Sequence, residues 1–283
     1  MKHSTPKART LRAVLYIFLI FVALTVIIPF IWVFSNAFRP NDEIGMFTDL
    51  SFYTFFPKEA TGDNFVRMFE QLPMFQILMN TIFVAASVTI ISLFINALTA
   101  YAFARINFKG KNIIFFVILS MLVIPIEILI IPLYLTIVKL GLIDTFASLI
   151  LPFLAAPFGI FFMRTSFSGI SRTLDEAAIL DGCGHFRIFT RIYMPLSKTS
   201  LVTLGLLVFL QQWDSFIVPV TLINDESKML LQVALTRLSM GLYTTDYGVL
   251  YAGVTLSIIP IMIIYFIFQR QIVENISSSG IKG

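Results

Sequence analysis

Six stretches of this chain, at 13–38, 77–104, 113–138, 145–163, 199–224 and 247–269, run with no charged residue or with only one. Each reaches the roughly 18 to 20 residues that a helix needs, at about 1.5 Å rise per residue, to cross a hydrocarbon layer of about 30 Å. With 58% hydrophobic and 13% charged residues and a mean hydropathy of +0.89, the chain holds more apolar surface than a soluble core of 283 residues can hide. The expected fold class is therefore an all-α polytopic membrane protein with six transmembrane helices. A β-barrel would show segments of about ten residues alternating apolar and polar, and these runs are apolar on every face.

The first run follows Lys2, Lys7, Arg9 and Arg12, and Ser35-Asn36-Ala37 loosely resembles a signal-peptidase site. The apolar stretch 13–34 is longer than the roughly 7 to 15 residues of a signal-peptide core, so we read it as an uncleaved helix. Basic residues resist translocation, and with the amino terminus inside they divide 14 to 6 in favour of the cytoplasmic segments. The largest share, Arg164, Arg172, Arg187, Arg191 and Lys198, falls between the fourth and fifth runs. This predicts a multi-pass protein of the cytoplasmic membrane with both termini cytoplasmic. The pI near 9.2 then reports topology and no nucleic-acid partner, because the positive charge is spread over several short connections.

Cys183 is the single cysteine, and His3 and His185 are the only histidines, so the sequence offers no intrachain disulfide and no cysteine or histidine metal site. Neither a G-x-x-x-x-G-K-[ST] phosphate loop nor an H-E-x-x-H helix occurs. The chain is expected to be no enzyme, with no cofactor and no metal of its own and its energy supplied from elsewhere.

The connection at about 165–198 is long for a helical membrane protein and carries its own punctuation. Thr173-Leu174-Asp175-Glu176 fits a capping box and predicts a helix start. Ala177 and Ala178 keep that helix slim, and Gly182 supplies the positive φ that ends it. Beyond the turn, Phe186, Ile188, Phe189 and Ile192 alternate with Arg187 and Arg191 until Pro195, which is expected to stop the pattern. Two short helices at a rigid elbow are predicted.

Glu176-Ala177-Ala178, then Gly182 after three residues, then Ile192-Tyr193-Met194-Pro195 after nine, resembles the EAA loop of binding-protein-dependent ABC importer permeases, with Met194 where the pattern prefers Leu. Asp181 before Gly182 also fits. The run Pro125-Ile126-Glu127-Ile128-Leu129-Ile130-Ile131-Pro132-Leu133, then Gln212-Trp213-Asp214-Ser215-Phe216 with Pro219, and the ending Gly280-Ile281-Lys282-Gly283 are similar to the carbohydrate permeases of this family, namely the smaller membrane subunit of maltose-type importers.

The resemblance implies a type I ABC importer permease fold, with a cytoplasmic amino end at 1–12, a first helix at 13–38, an extracytoplasmic loop at 39–76, a five-helix core at 77–269 and a cytoplasmic tail at 270–283. It implies a second homologous permease, two ATPase subunits that bind ATP and Mg, and an extracytoplasmic solute-binding protein. The EAA elbow would be the coupling helix seated on an ATPase, with Glu176, Ala177, Ala178, Asp181, Gly182 and Arg187 as the coupling residues. A stiff element with small residues for close docking and a few charges for register suits that task. The bland alternative is an amphipathic connection lying on the inner leaflet with its arginines facing lipid phosphates. The tail at 280–283 would reach between the ATPase subunits.

Carboxylates inside apolar runs usually face a bundle interior or a wet cavity. Glu127 falls about 15 residues, roughly 22 Å, from the inner end of the third run, and Asp214 about 16 residues, roughly 24 Å, from Lys198. Gln211, Gln212, Trp213 and Asp214 offer amides, a carboxylate and an aromatic face to a sugar. Equally, Trp213 suits an interfacial belt while the others make interhelical hydrogen bonds or a gate. For Glu127 a local network at Pro125 is the stronger reading, and for Asn80 and Asn96 interhelical hydrogen bonding is. The segments 36–76 and 225–246 suit either contact with a binding protein or lid packing.

The function read from all this is import of a sugar or oligosaccharide. Two carboxylates and no Lys or Arg inside the runs suit a neutral polyhydroxyl cargo better than a cation or anion. The alternatives are an ABC permease for a non-sugar solute and an ion-coupled secondary transporter using Glu127 and Asp214.

Overall fold

A computed structural model describes the backbone at 6–45, 51–240 and 246–280, and the side chains at 11–45, 51–240 and 246–271. The helices, in chain order, are α1 (Pro6–Ala37), α2 (Phe52–Phe55), α3 (Asp63–Gln71), α4 (Met74–Arg105), α5 (Lys111–Ser120), α6 (Ile126–Lys139), α7 (Phe146–Ile150) and α8 (Pro157–Ser168). They continue with α9 (Thr173–Leu180), α10 (His185–Ile188), α11 (Met194–Leu196), α12 (Lys198–Trp213), α13 (Ile217–Leu222), α14 (Leu231–Ser239) and α15 (Tyr247–Gly280). No strand occurs among the described residues.

Among the described residues, three segments, Leu11–Ala37, Met74–Arg105 and Tyr247–Gln271, are single helices long and apolar enough to cross a membrane. The other three predicted spans are interrupted. The third run was expected as one helix, and it breaks at Ile124 and Pro125 with a bend of 104°. Pro125 cannot donate to the preceding turn and sits in extended backbone as the residue before α6, so a new helix starts there. The fourth run bends by 43° between Phe153 and Pro157. The fifth was expected to continue to residue 224. It ends at Trp213, and α13 follows as a separate short helix after a break at 214–216. The sixth was expected to end near 269 with a flexible tail from 270. The helix continues to Gly280 because no Gly or Pro interrupts 261–279.

The chain divides into two units. The first comprises 1–73 and 235–259. In it, α1 is exposed along its spanning window, with none of that window buried inside the protein. Asp246 ties the segment together, its carboxylate accepting from Asn41 Nδ2 at 2.8 Å and from Arg67 Nη1 at 2.7 Å. Asn64, fully buried, donates to the carbonyls of Ala37 at 2.9 Å and Arg39 at 2.8 Å, and Trp32 meets Tyr251 edge-on at 5.3 Å. The stretch expected to be a lid or partner-contact surface thus carries its own hydrogen-bonded framework.

The second unit comprises 74–234 and 260–283. Here α4 is the central helix, packed along α8 and α12. Small residues set both crossings: a Cβ at Gly159 would meet Asn96 Nδ2 at 2.6 Å, and one at Gly205 would meet Leu93 Cδ1 at 3.1 Å. Asn96 is fully buried and accepts from the Ala156 amide at 2.9 Å, which satisfies a backbone donor at the start of α8. Asn80 donates to the Ser227 carbonyl at 2.9 Å and the Met229 carbonyl at 3.2 Å. Both asparagines therefore join chain segments, as the sequence led us to expect. At the turn after α6, Asp144 adopts φ of +58°, and its carboxylate accepts from the amides of Asn224 and Asp225. These bonds hold its pKa below the ordinary carboxylate value.

Candidate functional site

The elbow begins at α9, and its start differs from the expected capping box. Arg172, already in helical conformation, precedes α9 without a side-chain cap, so Thr173 lies inside the first turn. Ser171 Oγ accepts from the Thr173 amide at 3.3 Å and pairs with the Thr173 hydroxyl at 2.8 Å. This local serine turn occupies the hydroxyl that the capping box required.

The end of α9 follows the expected course. Gly182 has φ of +79°, its amide donates to the Ile179 carbonyl at 2.9 Å, and the Cys183 amide donates to the Ala178 carbonyl at 2.9 Å. This pair of bonds is a Schellman turn with glycine in the left-handed position. A Cβ at Gly182 would meet nothing within 4 Å, so backbone conformation and not space requires the glycine.

The second arm runs from His185 to Leu196. Pro195 was expected to stop it, yet helical structure continues to Leu196 and the break comes at Ser197, with a bend of 81° into α12. A π-helical turn at Phe189–Tyr193 precedes the proline, and the Met194 amide donates to the Phe189 carbonyl. The widened turn accommodates the ring and the missing donor of Pro195 without ending the helix.

The elbow is anchored by one face. Ala178, Ile188, Phe189 and Tyr193 join the hydrophobic core with Tyr101, Met163 and Phe167. Tyr101 meets Tyr193 at 5.1 Å and Phe189 at 5.6 Å between ring centroids, and its hydroxyl lies 3.3 Å from His185 Nδ1. Arg105, at the end of α4, is the polar tie. Its Nη2 donates to the carbonyls of Phe167, at 2.7 Å, and Ile170, its Nε lies 3.7 Å from Asp175 Oδ2, and its guanidinium sits 4.9 Å from the Tyr193 ring centroid. Helix α4 thus reads directly into α9.

The other face is open. Glu176, Ala177, Asp181, Gly182 and Arg187 are exposed, whereas Ala178 is only 8% exposed and packs inward. Of the two alanines, only Ala177 can face a partner in this conformation. Sequence reasoning missed the apolar part of this surface: Leu180 is 89% exposed, and Ile179 and Phe186 are also exposed. The exposure of Leu180 follows from the turn at Gly182, two residues on, which ends α9 and leaves this side chain without a neighbouring turn to pack on. In the sequence Arg105 speaks only to topology, since nothing in residue spacing links it to Asp175.

The expected solute-facing residues separate. Gln211 and Asp214 are exposed, while Gln212 and Trp213 are buried. Trp213, 1% exposed, stacks on Phe209 at 5.7 Å, so its aromatic face is closed to a sugar in this conformation. Asp214 Oδ1 lies 3.4 Å from Gln232 Nε2. Glu127 is exposed in the first turn of α6, and the break at Ile124 and Pro125 removes the expected depth of roughly 22 Å along one continuous third helix. A carboxylate there is favoured by the helix dipole. The contact expected of the tail at 280–283 falls on residues 281–283, outside the described residues.

Residues 92–278 match the family "Binding-protein-dependent transport system inner membrane component". The arabinooligosaccharides transport system permease protein AraQ of Halalkalibacterium halodurans is 32% identical over 93% of this chain and 94% of its own length. The probable ABC transporter permease protein YurM of Bacillus subtilis is 35% identical over 95% and 88%. The diacetylchitobiose uptake system permease protein NgcG of Streptomyces coelicolor is 29% identical over 97% and 90%. Among solved structures, a chain of a bacterial ABC transporter that imports the acidic polysaccharide alginate superposes with a TM-score of 0.82 at 24% identity, covering 95% of this chain and 99% of that one. These matches remove the ion-coupled transporter from consideration and support a multi-pass membrane permease, not an enzyme. The chain belongs to the binding-protein-dependent transport system inner membrane components, among the permeases of carbohydrate ABC importers.

Proposed function

We propose that this chain forms one half of the translocation path for a sugar or oligosaccharide. It pairs with a second, homologous permease and receives cargo from an extracytoplasmic binding protein. Two ATPase subunits, holding ATP and Mg, act on it through the elbow at about 165–198, with both termini on the cytoplasmic side. The observation that carries this reading is the elbow itself. It is fixed by one face to the core and to Arg105, while Glu176, Ala177, Leu180, Asp181 and Arg187 stand free at a turn that only glycine adopts readily. A lever must be stiff where it joins the helices it moves and open where it is pushed.

The cargo assignment draws on relatives named for arabinooligosaccharides and diacetylchitobiose and on apolar runs that contain no Lys or Arg. A solute-binding partner is supported by a solved alginate transporter in complex with an alginate-bound periplasmic protein, matched at a TM-score of 0.65.

Purification of the chain from its membrane in mild detergent tests the assembly. A second permease and an ATPase should co-purify, and the complex should hydrolyse ATP. Glu176→Ala should abolish uptake and loosen ATPase retention while the membrane topology stays unchanged. Wild-type uptake by that variant, or a chain that purifies without an ATPase, would overturn the reading.

A further inference from the structure

At the end of the second unit that carries Arg105, a cavity of about 670 Å³ opens between the start of α5, the end of α8 and the residue preceding α9. Its polar lining comprises Asn107, Lys111, Asn112, Arg164, Ser168 and Arg172. Three of these are cations, none of the lining residues is a carboxylate, and among the described residues none of the three takes part in an ion pair. The two half-buried cations are held by neutral groups. Lys111 Nζ donates to the Ile106 carbonyl at 2.9 Å, Arg164 Nε donates to the Phe103 carbonyl at 3.4 Å, and the Arg164 guanidinium lies 4.0 Å from the Phe115 ring centroid. Three positive charges gathered around one void without a counter-charge repel one another unless an anion joins them.

The surroundings narrow the anion. Phe108 and Ile113 form an apolar part of the wall, and the outer face of α5 continues it with exposed Ile113, Phe116 and Val117. A free anion needs no apolar strip beside its site, whereas a headgroup that drags acyl chains does. We propose that this cavity binds the phosphate of an anionic phospholipid headgroup, with the acyl chains lying along α5. Arg172 leads directly into α9, so the bound lipid braces the root of the elbow. The proposal rests on the orientation given above, which places this end at the cytoplasmic leaflet.

The test is a native mass-spectrometric titration of the detergent-purified complex with phosphatidylglycerol and, separately, phosphatidylcholine. Phosphatidylglycerol should bind preferentially. The double variant Lys111→Gln, Arg172→Gln should bind it about 25-fold more weakly, at roughly fivefold for each cation removed. Arg164 is left in place because it also packs on Phe115, and Lys198→Gln, outside the cavity, should change nothing. Equal binding of both lipids, or an unaffected double variant, overturns the proposal. So does inorganic phosphate that occupies the site alone and displaces the lipid. If the substitutions release an ATPase subunit and leave lipid binding intact, the cavity is a protein contact and the proposal fails. Orientation is read separately, by thiol labelling of Asn107→Cys in a Cys183→Ser background in sealed vesicles. Labelling from outside would refute the orientation without altering the detergent titration.

Discussion

Gly182 offers the sharpest test of the elbow, because the structure separates backbone strain from crowding there. Its φ of +79° is a conformation that L side chains adopt at about 1 to 2 kcal/mol, and a Cβ would meet no atom within 4 Å. Gly182→Ala should therefore carry only the conformational cost, lowering the population of the formed turn by roughly five- to thirtyfold relative to its alternatives. Gly182→Asn should recover most of it, since asparagine tolerates the left-handed region. Gly182→Pro cannot reach positive φ and removes the donor to the Ile179 carbonyl, so it should abolish coupling. Gly184 is the control. Its φ is −74° with open space around it and it precedes α10, so Gly184→Ser should be neutral or slightly stabilising. The assay is solute-stimulated ATP hydrolysis and uptake by the reconstituted complex, with ATPase retention measured alongside. The expected order of activity is wild type and Gly184→Ser, then Asn, Ala and Pro at 182. Equal losses for Ala and Asn, or full activity for Pro, would refute the claim that a left-handed turn sets the elbow.

Three further outcomes follow from the geometry. Arg105→Lys should lower coupling nearly as much as Arg105→Met, because a compact ammonium cannot serve the Phe167 and Ile170 carbonyls and Asp175 together; leaving these partly buried acceptors unpaired costs about 1 to 3 kcal/mol, readable as a fall in melting temperature of the purified complex. Phe189→Ala, at a fully buried ring between Tyr101 and the elbow, should destabilise by about 3 to 5 kcal/mol and loosen the second arm, seen as faster proteolysis within 185–196. Asp225 has its pKa lowered to about 2, chiefly by Lys228 and then by Ser227. A depressed carboxylate contributes stability that is present above its unfolded value of about 3.9 and is lost as pH falls toward 2. Between those values the wild type should lose its advantage over Asp225→Asn in protection of 224–230 from hydrogen exchange, and a constant difference across that window would count against the assignment.

How much of this was legible in the residues depends on how far each feature reaches along the chain. The apolar runs, the basic bias and the EAA spacing are local, and membrane cost enforces them span by span. Gly182 was readable for the same reason, since positive φ is a property of one residue and its neighbours. The capping box at Thr173 was not, because Ser171 competes for the same hydroxyl two residues upstream. Pro195 was misjudged because its tolerance depends on a π-helical turn that no propensity signals. The third and fifth runs were read as continuous because composition reports apolarity and not direction.

The sequence alone determined that the chain spans a membrane, where its elbow lies and which family it resembles, since those follow from transfer energies and from residue types at set spacings. Only the tertiary structure decided which side of the elbow is open. Ala178 turned inward and Leu180 outward, Trp213 closed onto Phe209, and Arg105 found Asp175 across 70 residues of chain. These outcomes depend on which surfaces meet when α4, α8 and α12 pack together, and packing couples residues that no periodicity along the chain connects.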